Sequence, residues 1–205
     1  DQSYVLAMLG QGQLARVRFP LGSMTKDAVR SIAADLGLRT AAKPDSQDVC
    51  FITHDGGRTA FLGSRIPFRP ARVVDAVDGT ELGEVESLEM VTLGQRRGIG
   101  LPGGGPKRYV VDIDHATATV AVGDESLLFT DTLTVHDTVW AHLPVTGDVL
   151  VQCSAHGATA AATLEPGPDG LTVRWQASQR RVAPGQSVVF YDTTDTIVLG
   201  GGTAG

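Results

Sequence analysis

Asp148-Val149-Leu150-Val151-Gln152-Cys153-Ser154-Ala155-His156 decides the fold class, because its side chains sort into an apolar and a polar set only if the segment is extended. Alternate residues of a strand point to opposite faces, which puts Val149, Val151 and Cys153 on one side and Gln152, Ser154 and His156 on the other. Cys153 is therefore expected in a core. Thr132 to His136, Ala160 to Leu164, Leu171 to Trp175, Ser187 to Tyr191 and Thr196 to Leu199 are similar short runs, separated by Gly, Pro and Asp turns. Six short strands at such spacing predict a β-barrel over 127–205. The Gly200-Gly201-Gly202 run opens no helix, so it is read as a turn that closes the barrel rather than a phosphate loop.

Upstream, Arg72 to Val77, an Asp78-Gly79 hairpin turn, Met90 to Leu93, Arg108 to Ile113 and Thr117 to Val122 predict a smaller β domain over 69–126, set off by Pro67 and Pro70. Gly98 to Pro106 is glycine-rich enough to be expected as a mobile loop. The region 1–68 reads as helical. Ser3 to Leu9 is one candidate helix, and Thr25 is a plausible N-cap for a second. In that second helix Ala28, Val29, Ile32, Ala33 and Leu36 recur at helical spacing until Gly37, and Arg58 to Leu62 adds a further turn or two. The fold class is thus mainly β with an N-terminal helical segment, a small central β domain and a C-terminal barrel. The first residue is not methionine, and the chain starts inside what reads as a helix, so it is expected to be a piece of something longer.

With 42% hydrophobic residues among 205, the chain can bury a core. It has no apolar run long enough for a membrane helix and no secretory leader, so no membrane association and a cytoplasmic location are expected. The net charge of −6 excludes a general nucleic-acid coat, and any RNA contact must be local. The 2 cysteines, Cys50 and Cys153, fit neither a metal pattern nor a disulfide framework and are expected reduced. His54, His115, His136 and His142 lack metal-site spacing, and no metal ligand is assigned.

Lys43-Pro44-Asp45-Ser46-Gln47-Asp48-Val49-Cys50-Phe51-Ile52 places one thiol between a polar turn and an apolar anchor. Two readings stand: a buried structural cysteine, or an accessible sulfur whose thiolate Lys43 or His54 could stabilise. Spacing does not decide between them.

The stretch Pro44 to Ile52 resembles the cysteine motif of the tRNA 2-thiouridylases, and three other segments agree in order. Asp1-Gln2-Ser3-Tyr4 is similar to the family's segment after its nucleotide-binding core, and Thr92-Leu93-Gly94-Gln95-Arg96-Arg97-Gly98 to its central-domain signature. Pro184 to Tyr191, with Leu199 to Gly202, is similar to its terminal barrel. The resemblance implies a barrel similar to one in translation elongation factors. It also implies ATP-dependent 2-thiolation of the wobble uridine of tRNA, with Cys50 as the persulfide carrier loaded by a sulfur-relay protein or cysteine desulfurase. The family's second catalytic cysteine, which closes a disulfide with the residue matching Cys50, lies before the position of Asp1. Its Ser-Gly-Gly-x-Asp-Ser loop for ATP with Mg2+ does not occur in this sequence, so the chain alone is expected to be inactive.

For RNA contact, Arg96, Arg97, Lys107 and Arg108 fall in Met90 to Val111, a stretch without an acidic residue, either as a solvated loop or as a phosphate footprint. The resemblance favours the footprint, and Arg180 and Arg181 could add a second. It further implies tRNA contact by Asp1, Gln2 and Gln186, and at Ser154-Ala155, where the family commonly carries Arg-Tyr. Another departure is Val85-Glu86-Ser87, where many members have His-x-Gly. Two competing readings are a non-catalytic RNA-binding or protein-docking barrel module, and a redox protein pairing Cys50 with Cys153, which the core position of Cys153 opposes.

Overall fold

In the computed structural model, residues 3–43, 57–102, 105–168 and 170–205 are described. They fall into two compact units, Arg16–Pro67 and a second one that joins Asp1–Ala15 to Phe68–Gly205.

Helices come first along the chain: α1 (Ser3–Leu6), α2 (Gln11–Leu14), α3 (Lys26–Asp35) and α4 (Gly57–Gly63). The helix expected over Ser3 to Leu9 is shorter than its sequence suggested. Tyr4 explains the stop, because the segment is held by the barrel rather than by its own turns. Tyr4 Oη donates to the Ser187 carbonyl at 2.8 Å, and Ala7, only 4% exposed, packs on Val189 and Tyr191. In the other unit α3 has the expected ends. Thr25 Oγ1 accepts from the Ala28 N–H at 3.3 Å. At the far end Gly37, at φ +67°, donates to Ala34 and Leu38 donates to Ala33, which is the Schellman arrangement that only a left-handed residue allows. Among the described residues, Ile32 and Leu36 of its apolar stripe are exposed.

The central sheet comprises β1 (Ala71–Asp75), β2 (Glu81–Val85), β3 (Tyr109–Asp114) and β4 (Thr119–Gly123) in the order β2-β1-β4-β3, with β1 and β4 parallel. Val73, Val110, Val120 and Val122 are fully buried with Leu88. The Asp78-Gly79 turn is present, with Gly79 at φ +75°. Two features differ from expectation. Strand β2 was not anticipated, since Glu81-Leu82-Gly83-Glu84-Val85 has few apolar residues and is recruited by pairing with β1. Met90 to Leu93 is not a strand: a 3-10 turn, Leu88–Met90, buries Leu88 as a plug, and the chain then turns at Gly94. The Gly94 N–H to Val110 O and Val110 N–H to Gln95 O bonds, at 2.8 and 2.9 Å, tie this segment to β3.

The barrel is closed by six strands, β5 (Phe129–Trp140), β6 (Gly147–Gln152), β7 (Ala160–Gly167), β8 (Gly170–Arg180), β9 (Ser187–Tyr191) and β10 (Val198–Ala204), in the order β10-β5-β8-β7-β6-β9. All six expected strands exist, most of them longer than their apolar runs. Val149 and Val151 face a core with Val135, Leu164, Val173, Val188 and Phe190, as alternation requires. Strand β6 ends earlier than His156, because the Gln152 amide donates to the carbonyls of Ser154 and Gly157, both at 2.9 Å, and curls the chain into a turn. Gly200 to Gly202 is not a turn but the middle of β10, paired with both β5 and β9. Its neighbours demand glycine there: a Cβ on Gly200 would lie 2.5 Å from the Val139 carbonyl, and one on Gly202 2.5 Å from that of His136.

Glu89 ties the 3-10 turn to the start of β1 by accepting from the Arg69 N–H at 3.0 Å and from Arg69 Nε at 2.9 Å. The backbone bond, then the guanidinium, lower its pKa from 4.5 to about 2. A depressed carboxylate pKa stabilises the fold above the unfolded value and loses that contribution as pH falls through the folded one. The denaturant midpoint should therefore drop between pH 4.5 and about 2 more steeply in the wild type than in Glu89→Gln. Parallel pH profiles would show that this carboxylate is not involved.

Candidate nucleic-acid interface

Cys50, Asp1 and Gln2 lie outside the described residues, as does His54, and Gly103 and Gly104 of the glycine-rich loop do too. The remaining candidates fall on two surfaces, both in the unit that contains the sheet and the barrel.

The first surface is built by Thr92 to Arg108. Gln95 accepts from the Thr92 N–H through Oε1 at 2.9 Å and donates through Nε2 to the Arg97 carbonyl at 2.8 Å, so one side chain fixes the turn on both sides. Ile99, 4% exposed, is sunk into the core of the central sheet. Gly100, at φ +70°, lies so close to Glu84 that a Cβ would collide with its carbonyl oxygen. With the backbone pinned at these points, Arg96, Arg97 and Lys107 are left exposed around a cavity of about 700 Å³ walled by Leu82, Ile99 and Leu101. Among the described residues none of these three cations has a hydrogen-bond or ion-pair partner.

Arg108 differs from these three. It lines the same cavity, but its guanidinium is 2.5 Å from Asp75 Oδ2 at the end of β1. Asp75 also accepts from the Val77 N–H at 2.8 Å. That backbone bond first, and the Arg108 guanidinium second, hold its carboxyl below the usual range. The stretch has no acid of its own, yet the fold brings one to it from 33 residues away. Arg108 is thus largely neutralised and serves the fold.

The second surface is the mouth of the barrel. Ser154, Gln186, Arg180 and Arg181 line a cavity of about 310 Å³ together with Cys153 and Trp175. Ala155 and His156 are exposed in the turn after β6, and neither lines this cavity. Arg180 is 2.9 Å from Glu125 Oε1, and Arg181 donates to the Val111 carbonyl at 3.3 Å. Cys153 packs partly buried against the barrel core, and burial pushes its thiol up to about 11. Burial thus holds the thiol protonated at neutral pH, which weakens it as a nucleophile.

Sequence reasoning overlooked Gln95 as the holder of the loop, and Asp75 and Glu125 as partners of two of the cations. Gln95 had a local signal, since Thr92-x-x-Gln95 has the spacing of a capping box. Asp75 and Glu125 had none, being 33 and 55 residues from the arginines they meet. Among the described residues no three His, Cys, Asp or Glu side chains come together. No helix among them is long and apolar enough to cross a membrane.

Three family models match in succession: the tRNA methyl transferase HUP domain at residues 1–54, the tRNA methyl transferase PRC-barrel domain at 59–124, and the aminomethyltransferase beta-barrel domain at 130–204. Proteins named tRNA-specific 2-thiouridylase MnmA are similar along nearly the whole chain. The one from Rhodococcus jostii is 45% identical over 99% of this chain and 58% of its own length. That of Roseiflexus castenholzii is 41% identical over 98% and 55%, and that of Mycobacterium tuberculosis 46% over 99% and 57%. The chain spans little more than half the length of these relatives.

The burial of Cys153 makes a direct prediction. In a Cys50→Ser variant at pH 7, a maleimide should label Cys153 roughly a hundredfold more slowly in the folded protein than in urea. Equal rates would mean that the thiol is open to solvent and ionisable.

Proposed function

We propose that the chain belongs to the family of tRNA-specific 2-thiouridylases, to whose members it is similar along nearly its whole length, and that it is the RNA-holding and sulfur-carrying part of an enzyme that thiolates the wobble uridine of tRNA. In this reading the chain has three parts, a helical remnant of the catalytic domain over 1–68, a central β domain over 69–126 and a barrel over 127–205. ATP with Mg2+ binds in the portion of the relatives that this chain does not cover. The whole protein works in the cytoplasm and is loaded with sulfur by a relay protein or a cysteine desulfurase.

The observation that carries the RNA half of the reading is the group of three cations, Arg96, Arg97 and Lys107, that stand unpaired among the described residues around one cavity in a chain of net charge −6. Unpaired cations on a pinned backbone suit phosphodiester oxygens, because neither the loop nor an ion pair has to be broken to receive them. Gln186 and Ser154, at the mouth of the barrel, are proposed as further RNA contacts, as are Asp1, Gln2 and Ala155.

The sulfur half rests on Cys50. Its persulfide has a terminal sulfur more acidic and more nucleophilic than a plain thiol. With the uridine O2 adenylated at the expense of ATP, that sulfur attacks C2, the C2–O2 bond breaks, and AMP departs carrying the oxygen. A second cysteine thiolate then attacks Cys50 Sγ, forming a disulfide and releasing the thiolated base as its thiolate. A cellular thiol reductant returns the disulfide to two thiols. A serine at position 50 cannot hold the sulfane sulfur.

One experiment on the full-length enzyme separates the two halves by measuring tRNA binding at several salt concentrations alongside thiolation. Cys50→Ser should abolish thiolation and leave tRNA binding near normal. Arg96→Ala/Arg97→Ala/Lys107→Ala should weaken binding and lower the salt slope by about three units, near one per lost phosphate contact. Wild-type thiolation by Cys50→Ser would refute the sulfur half, and an unchanged slope in the triple variant the RNA half.

A further inference from the structure

Arg180, at the end of β8, stands between the two surfaces described above. Its guanidinium lines the cavity at the barrel mouth with Ser154 and Gln186. One of its nitrogens, NH1, is also only 3.9 Å from where a Cβ on Gly94 would be, beside the turn from which Arg96 and Arg97 project. The backbone beneath it is fixed, since the Arg181 N–H donates to the Leu128 carbonyl at 2.7 Å and the Arg181 side chain reaches the Val111 carbonyl of β3. Two cationic surfaces more than seventy residues apart in sequence are thereby contiguous through one side chain.

That side chain is occupied. Glu125, in the 3-10 turn Glu125–Leu128, accepts from it at 2.9 Å. The pair resembles Asp75 and Arg108 in chemistry but not in setting. Arg108 and Asp75 are 27% and 15% exposed, and Asp75 is anchored by a backbone N–H as well, whereas Arg180 and Glu125 are 53% and 57% exposed. Among the described residues no second bond fixes the Glu125 carboxylate against Arg180. Solvent-exposed pairs of this kind contribute little to stability and exchange readily. A phosphate can offer Arg180 two oxygens in the forked geometry a guanidinium prefers.

Resting on the RNA-holding reading, we propose that Arg180 is a phosphate-binding residue that joins the glycine-rich loop and the barrel mouth into one track for an RNA backbone. Glu125 is its intramolecular competitor, neutralising Arg180 until a phosphodiester displaces it. The displaced Glu125 carboxylate then takes up a solvent cation, which offsets part of the counterion release that Arg180 would otherwise add.

The test is binding of an unmodified tRNA transcript to the full-length protein across a salt series, for wild type, Glu125→Gln, Arg180→Ala and the double variant. Glu125→Gln should bind several-fold more tightly with a steeper salt slope, by up to about one unit. Arg180→Ala should bind more weakly with a shallower slope, and in that background Glu125→Gln should give little further gain. An equal gain from Glu125→Gln with and without Arg180 would overturn the proposal, because Glu125 would then act only through net charge. So would wild-type binding by both single variants. If those single variants are silent while Arg96→Ala/Arg97→Ala/Lys107→Ala still loses binding, this inference fails and the RNA-holding reading survives. If the triple variant is silent as well, both fail.

Discussion

A loop with seven glycines and prolines between its cations can present charge at a fixed place only if something other than charge holds it, and here that constraint is the insertion of Ile99 into the core of the central sheet. Gly100 pressed on Glu84, and Gln95 bonded on both sides of its turn, complete the anchorage. Arg96, Arg97 and Lys107 repel one another, and on a free chain they would spread apart. The pinned backbone instead gathers them at one cavity, with the mutual repulsion borne by the sheet. Everything proposed about RNA depends on that anchorage, since an array of cations on a mobile strand would have to be ordered at the expense of binding.

The fold also decides which cations are left for a ligand. Asp75 and Glu125 each take an arginine, but Asp75 does so half-buried with a backbone N–H behind it, and Glu125 does so in open solvent. The first pair is tied into the sheet, and the second is the one proposed to exchange for a phosphate. Similar logic divides the thiols. Cys153, just past the end of β6, packs against the barrel core, where burial pushes its thiol up, whereas the proposal of Cys50 as carrier of sulfur comes from the family resemblance.

The barrel was legible because short apolar runs recur between Gly, Pro and Asp turns, and because the alternation in Asp148 to His156 reports burial directly. The central sheet was less so. Strand β2 contains Glu81, Gly83 and Glu84 and owes its conformation to its partner β1, a long-range effect that no local pattern carries. Met90 to Leu93 has the composition of a strand, yet burying Leu88 in a 3-10 turn and reversing the chain at Gly94 satisfies the core better. Gly200 to Gly202 looked like a turn because glycine is common in turns, whereas here it admits close backbone approach between three strands. In the candidate site, the cations were readable as a charge run and their partners were not, because pairing across 33 and 55 residues is a property of topology.

Lys107 offers the most direct measurement of the central claim, that RNA phosphates rest on the anchored loop. Its amine is exposed at the cavity, and Lys43 is exposed in the other compact unit, so acetylation of the full-length enzyme with and without tRNA compares the two by mass spectrometry. The account predicts that saturating tRNA slows acetylation of Lys107 by about tenfold or more, and that the effect fades as added salt releases the RNA. Lys107 acetylated at the same rate with and without bound tRNA would contradict it.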